Sequence, residues 1–174
     1  NPAYLIGITQ QIYGSDFETR SGTVLPVPES QLRVVEDGEV IVLDGRQLQI
    51  IHAPGHASHH LAILDRKQNG LFCGEALGMP PHLLPSVALY SFDKEDYLRT
   101  IENLRQLHPR LLFYSHGGAD IEPEAAFSRA AENTHIYGKM VLDGLRNGDS
   151  RAEIGQRFLV DVKGRFGLLF DSAG

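Results

Sequence analysis

Three apolar, strand-like runs in this chain each end on a histidine or glutamate with glycine beside it. Gln47-Leu-Gln-Ile-Ile51 leads into His52-Ala-Pro-Gly-His56, Gly70-Leu-Phe-Cys73 into Gly74-Glu75-Ala, and Arg110-Leu-Leu-Phe-Tyr-Ser115 into His116-Gly-Gly. Strands that end this way must lie in one sheet for their loops to meet. Loops after strands are where a rigid scaffold places chemistry, and two imidazoles with one carboxylate are a metal-ligand set. The neighbouring glycines let the backbone crowd around an ion without a Cβ in the way.

The strand order can be followed along the chain. Glu39-Val-Ile-Val-Leu43 and Gln47–Ile51 flank Asp44-Gly45, a strong signal for a tight hairpin. Ala53-Pro54-Gly55 then turns sharply, throwing His56 off the strand end. Leu61-Ala-Ile-Leu64 and Gly70–Cys73 form a second hairpin across Lys67-Gln-Asn-Gly, so four strands precede the first helix. Tyr97, Leu98, Ile101, Leu104 and Leu107 recur at helical spacing within residues 93–107, with Asp93 placed as the cap. The apolar run 110–115 reads as a buried strand delivering His116. A helix follows from Pro123 to about Arg146, and another opens at the capping box Ser150-Arg-Ala-Glu153. Residues 1–13 suit a short helix or an entering strand, residues 14–37 a connecting loop, and the last dozen residues a short hairpin or a loose tail.

Composition removes several classes of function. With 174 residues, one core is expected. A net charge of -6 provides no basic face for nucleic acid. No apolar run approaches the ~18 residues of a membrane span. Cys73 is the single cysteine, which excludes an internal disulfide and suits a reducing, cytoplasmic setting. In an apolar strand without a basic neighbour it reads as a buried core thiol.

At the three motifs the chain resembles the metallo-β-lactamase fold superfamily of metallohydrolases. His-Ala-Pro-Gly-His56 with Ser58-His59-His60 is similar to that family's His-Thr-Pro-Gly-His motif. Phe72-Cys-Gly-Glu75-Ala-Leu is similar to Phe-Thr-Gly-Asp-Ala-Leu, and Ser115-His116-Gly-Gly to the final histidine motif. The match covers roughly residues 38–120. It implies an α/β fold, the αββα sandwich of this superfamily in its C-terminal half, with a helical tail. The expected division is a partial domain over residues 1–121 and a tail over 122–174 packed on it. The resemblance further implies one or two metal ions, zinc or in some branches iron. His56 would bind the first, position 75 would bridge, and His116 would bind the second.

Two departures qualify that expectation. The family's His-x-His-x-Asp-His cluster is absent from the sequence, so the chain is expected to begin after it, and Asn1 to be a processing product or an edge of a longer frame. Position 75 carries Glu where Asp is usual, one bond of about 1.5 Å longer. With the other ligands supplied, the expected reaction is metal-assisted hydrolysis of a small-molecule ester, thioester, lactone or phosphodiester. His60, His82 or Tyr90 would orient substrate or donate a proton. Two other readings stay open: an iron oxidoreductase of the same superfamily, and a metal-poor binding or assembly module that kept the fold. The exposed sheet of half a sandwich also predicts a homodimer. His52 reads as structural or as a support to the ligands, and His108 as a helix-end residue.

Overall fold

A computed structural model describes residues 2–87 and 91–167. Its contacts divide the chain into two compact units, Asn1–Val34 and Val35–Gly174. The first unit is helical. It holds α1 (Pro2–Tyr13), a 3-10 turn at Gly14–Asp16, α2 (Phe17–Ser21) and a second 3-10 turn at Glu29–Gln31. The opening segment is therefore a helix, and the expected loop over 14–37 is partly helical because Phe17 anchors a short turn by burying its ring. These two helices also precede the strands, correcting the expectation that four strands come first.

The second unit is built on one sheet in the order β1-β2-β3-β4-β5-β6. Its strands are β1 (Val40–Leu43), β2 (Arg46–His52), β3 (Leu61–Asp65), β4 (Gly70–Gly74), β5 (Leu111–Tyr114) and β6 (Ala119–Asp120). Asp44 and Gly45 both take positive φ, 46° and 74°, the conformation of a twisted two-residue hairpin. All neighbours pair antiparallel except β4 and β5. A parallel pair needs a crossover, and α3 (Lys94–Arg105) supplies it. The Asp93 carboxylate accepts from the Asp96 backbone N–H, capping α3 as its sequence predicts.

Side chains alternate across the sheet, so one face collects Ala62, Leu64, Leu71, Cys73 and Leu112. That face packs against Tyr97, Ile101 and Leu104 of α3 and Ala126, Phe127 and Ala130 of α4 (Pro123–Arg146). On the opposite face Phe72 and Phe113 stack with ring centroids 4.7 Å apart, and Phe72 is 42% exposed. The sheet thus has helices on one side and a partly exposed apolar patch on the other.

Following α4, α5 (Arg151–Phe166) opens with the complete Ser150/Glu153 capping box and closes on Gly167 in the left-handed conformation. The expected hairpin or loose tail at the end is instead a helix as far as Phe166. Two glycines do not break it because Phe158 packs on Tyr137 of α4 and Val162 is fully buried. Residues 168–174 lie outside the described residues. No described helix is long and apolar enough to cross a membrane.

One buried charge ties the hairpins together. Asp65, at the end of β3, is 1% exposed and accepts from the Arg46 guanidinium and, at 3.1 Å, from the Lys67 backbone N–H. The Arg46 hydrogen bond holds its carboxyl below the ordinary 3.8 against the opposing effect of burial. A lowered folded-state value stabilises the fold fully above 3.8 and loses that contribution as pH falls through the lower value. Asp65→Asn should therefore melt below wild type at neutral pH and converge on it in strong acid. Calorimetric melts across that range check this; a constant gap at every pH would overturn it.

Candidate active site

Strand direction gathers the site. β4 and β5 run parallel, so Glu75 and His116, which follow them, emerge at the same edge of the sheet. β3 runs opposite to both, which brings the residue before it, His60, to that edge as well. β2 pairs antiparallel to β3, and its end leads through Ala53-Pro54-Gly55 to His56. At the end of β4 the register shifts between Phe72 and Gly74, an irregularity that re-aims the chain just before Glu75.

Glu75 is the hub. Its Oε1 accepts from the Ser115 hydroxyl at 3.0 Å and lies 3.1 Å from His116 Nε2. Burial pushes its carboxyl up, but hydrogen bonds from Ser86 and Ser115 and the neighbouring His116 and His56 imidazoles outweigh it and hold the group below 4.5. The Glu75 side chain is 18% exposed and that of His116 69%, so the pair is half sheltered and half open to solvent. Tyr97 of α3 donates its hydroxyl to the Glu75 carbonyl at 2.9 Å, pinning the loop to the core.

His56 places Nδ1 2.8 Å from the Ser86 carbonyl, leaving Nε2 as its other ring nitrogen. Its ring meets that of His60 edge-on, with centroids 5.6 Å apart. His60 itself holds the frame. Its Nε2 accepts from the Glu75 backbone N–H at 3.0 Å, so Nδ1 carries the proton and donates to the Ala53 carbonyl at 3.1 Å. Burial first, and His56 second, push His60 below the ordinary 6.5, consistent with this neutral tautomer.

Of the three residues expected to orient substrate or donate a proton, two lie among the described residues. His60 has both ring nitrogens committed to backbone and acts as a brace between the His52–His56 loop and Glu75. His82 stacks on Phe166 of α5, centroids 4.5 Å apart, while its carbonyl accepts from Asn133. Tyr90 lies outside the described residues. His52 bonds the Ser58 carbonyl through Nε2 at 2.8 Å, as a loop support. Cys73 is buried with its thiol donating to the Phe113 carbonyl, and desolvation pushes it up to about 12, so it is inert.

Ser86 and Ser115 are the polar contacts that sequence reasoning missed. Ser115 was legible in principle, since it adjoins His116. Ser86 lies in a proline-rich loop with no pattern that ties it to Glu75.

The expected metal ligands can be tested on this geometry. Two donors at about 2.1 Å from one tetrahedral ion sit about 3.4 Å apart. The 3.1 Å between Glu75 Oε1 and His116 Nε2 approaches that spacing. The third donor does not join them: among the described residues no group of three or more His, Cys, Asp or Glu is placed to hold a metal ion. His56, Glu75 and His116 are thus not gathered into one three-donor group among the described residues.

A mixed sheet backed by helices, with its imidazoles and carboxylate gathered at one edge by a parallel strand pair, defines a metallo-β-lactamase-like α/β fold with a helical tail. The chain belongs to the metallo-beta-lactamase superfamily, whose family model matches residues 4–116. A curated relative, an atrochrysone carboxyl ACP thioesterase of Paecilomyces divaricatus, is 27% identical over 140 residues, covering 78% of this chain and 42% of its own length. A metallo-beta-lactamase fold-containing protein of Sulfurisphaera tokodaii is 24% identical over 115 residues, covering 63% and 41%. The chain thus spans less than half the length of these relatives. Among solved structures, an archaeal superfamily protein from Sulfolobus tokodaii shares the fold with a TM-score of 0.63 at 21% identity, over 80% of this chain and 51% of that one. A Thermus thermophilus family protein gives 0.53 at 21%, over 82% and 48%.

Proposed function

We propose that this chain carries one side of the active site of a metal-dependent hydrolase, and that its substrate is a thioester or related ester cleaved by water to a carboxylic acid and a thiol or alcohol. The observation that carries the reading is the Glu75–His116 pair, set by β4 and β5 and secured by Ser115. Relatives named as thioesterases support the substrate class. Zinc is the proposed ion, with donors from outside these residues completing the set.

The chain's own groups have definite roles in this reading. With zinc bound, Glu75 would offer a carboxylate oxygen and His116 an unprotonated Nε2 as two of the donors, and the ion would supply an activated water. Ser86 and Ser115 stop the carboxylate from rotating, and His60 fixes the backbone beneath it. A second reading, a binding module without turnover, draws on the incomplete donor set among the described residues.

The test is thiol release from a panel of acyl thioesters, with metal analysis, on the protein purified with zinc and on its Glu75→Gln variant. Turnover falling about 100-fold in the variant, with its melting temperature kept, is expected. Zinc-free protein with no hydrolysis in wild type would favour the binding module.

A further inference from the structure

Beside the candidate site lies a cavity of about 580 Å³ that none of the roles above uses. Val87 and Phe92 form one wall, and Tyr137, Val141, Leu142 and Phe158 of α4 and α5 form the other. We propose that this cavity binds the apolar acyl group of the substrate, an inference that rests on the thioester or ester reading above.

Three observations point this way. First, the polar groups along the wall are satisfied elsewhere and turn carbon toward the space. The Thr134 hydroxyl donates to the Ala130 carbonyl within α4, the Tyr137 hydroxyl bonds Asp161 at 3.0 Å, and the Lys94 ammonium pairs with Glu95 at 3.0 Å. Second, Val87, Val141 and Leu142 are 59%, 44% and 44% exposed, so the apolar wall is open to a ligand and not closed on itself. The volume falls within the range of small-molecule sites. Third, the cavity and the site share one segment. Pro85 and Val87 line the cavity, while Ser86 between them holds His56 through its carbonyl and Glu75 through its side chain. An acyl chain seated here would lie against Pro85 and Val87, the residues that flank Ser86.

Gly138 provides the test. It lines the cavity, and a Cβ there meets only the flexible Lys94 side chain, with Cδ at 2.7 Å. Gly138→Leu should fill the space at little backbone cost, and a glycine replaced within a helix tends to stabilise it. Dansyl-undecanoic acid titrated into the 174-residue chain should show saturable fluorescence enhancement. Gly138→Leu should weaken that binding at least tenfold without lowering the melting temperature, and Leu142→Asp should weaken it likewise by polarising the wall. No binding to wild type, or equal binding to both variants, overturns the proposal. So does sedimentation showing that the wall is instead covered by a second copy of the chain.

A second arm separates this inference from the hydrolase reading. In the zinc-loaded protein, Gly138→Leu should lower turnover of a decanoyl thioester at least tenfold relative to an acetyl thioester. If neither thioester is cleaved while the probe still binds and Gly138→Leu still blocks it, the hydrolase reading falls and the cavity stands as an apolar-ligand site.

Discussion

Gly55→Ala is expected to destabilise the fold by about 4 kcal/mol or more, a loss that single substitutions reach by few mechanisms, backbone strain and overpacking among them. Gly55 has φ of 126°, which an L side chain rarely adopts. Worse, its Cβ would sit 2.3 Å from Tyr97 Cα and 2.4 Å from Tyr97 N, both backbone atoms of α3. The helix cannot yield without losing what it holds. The Asp93 N–H donates to the Gly55 carbonyl at 2.8 Å, Thr100 donates to the Pro54 carbonyl at 2.6 Å, and Tyr97 holds Glu75. Gly45→Ala is the control. Its φ of 74° is also positive, yet nothing lies within 4 Å of the new Cβ, so only the conformational cost of about 1 to 2 kcal/mol applies. Urea titration of both variants checks the difference. If the two lose equally, the close approach of α3 to this loop is not what holds the site edge together.

His60→Phe should cost about 2 kcal/mol or more by orphaning the Glu75 N–H and the Ala53 carbonyl, each left unpaired in a partly buried place. The effect carries a pH signature. A histidine held below 6.5 and required to be neutral stabilises the fold fully above that value. That contribution is lost as pH falls through the lower folded-state value, because protonated Nε2 can no longer accept from Glu75. Wild type should therefore lose stability on acidification below 6.5, and the variant should lack that component. Gly74→Ala probes the same bracing from the other side, since its Cβ would lie 2.6 Å from His60 Nε2. The two substitutions should not add, because both break one interaction. Additive losses, or an unchanged acid limb in His60→Phe, would show that His60 does not brace the loop.

These expectations rest on contacts of unequal visibility. Asp44-Gly45, Asp93 and Ser150/Glu153 were readable as turn and caps because each acts on backbone groups within three residues of itself. The three site motifs were readable because strand-ending glycines leave a local mark. The register shift at Cys73 was not, since it exists only against a paired strand, and neither was β6, whose two residues carry no period. His60 looked like a proton donor because its ring chemistry is written in its identity. Its partners, Ala53 and Glu75, meet it only after β2, β3 and β4 align.

Residue order alone sets which residue types stand at strand ends, where the hairpin and helices start, and which side chains are apolar enough to form the core. Those outcomes follow from backbone preferences and periodicity over a few residues. Tertiary structure alone decided that Glu75 meets His116 and Ser86, that Gly55 lies against α3, and that the wall of α4 and α5 opens on a cavity behind Ser86. Each of these joins segments far apart in the chain. Their distances depend on the parallel pairing of β4 with β5 and on helix packing across the sheet, which local propensity does not encode.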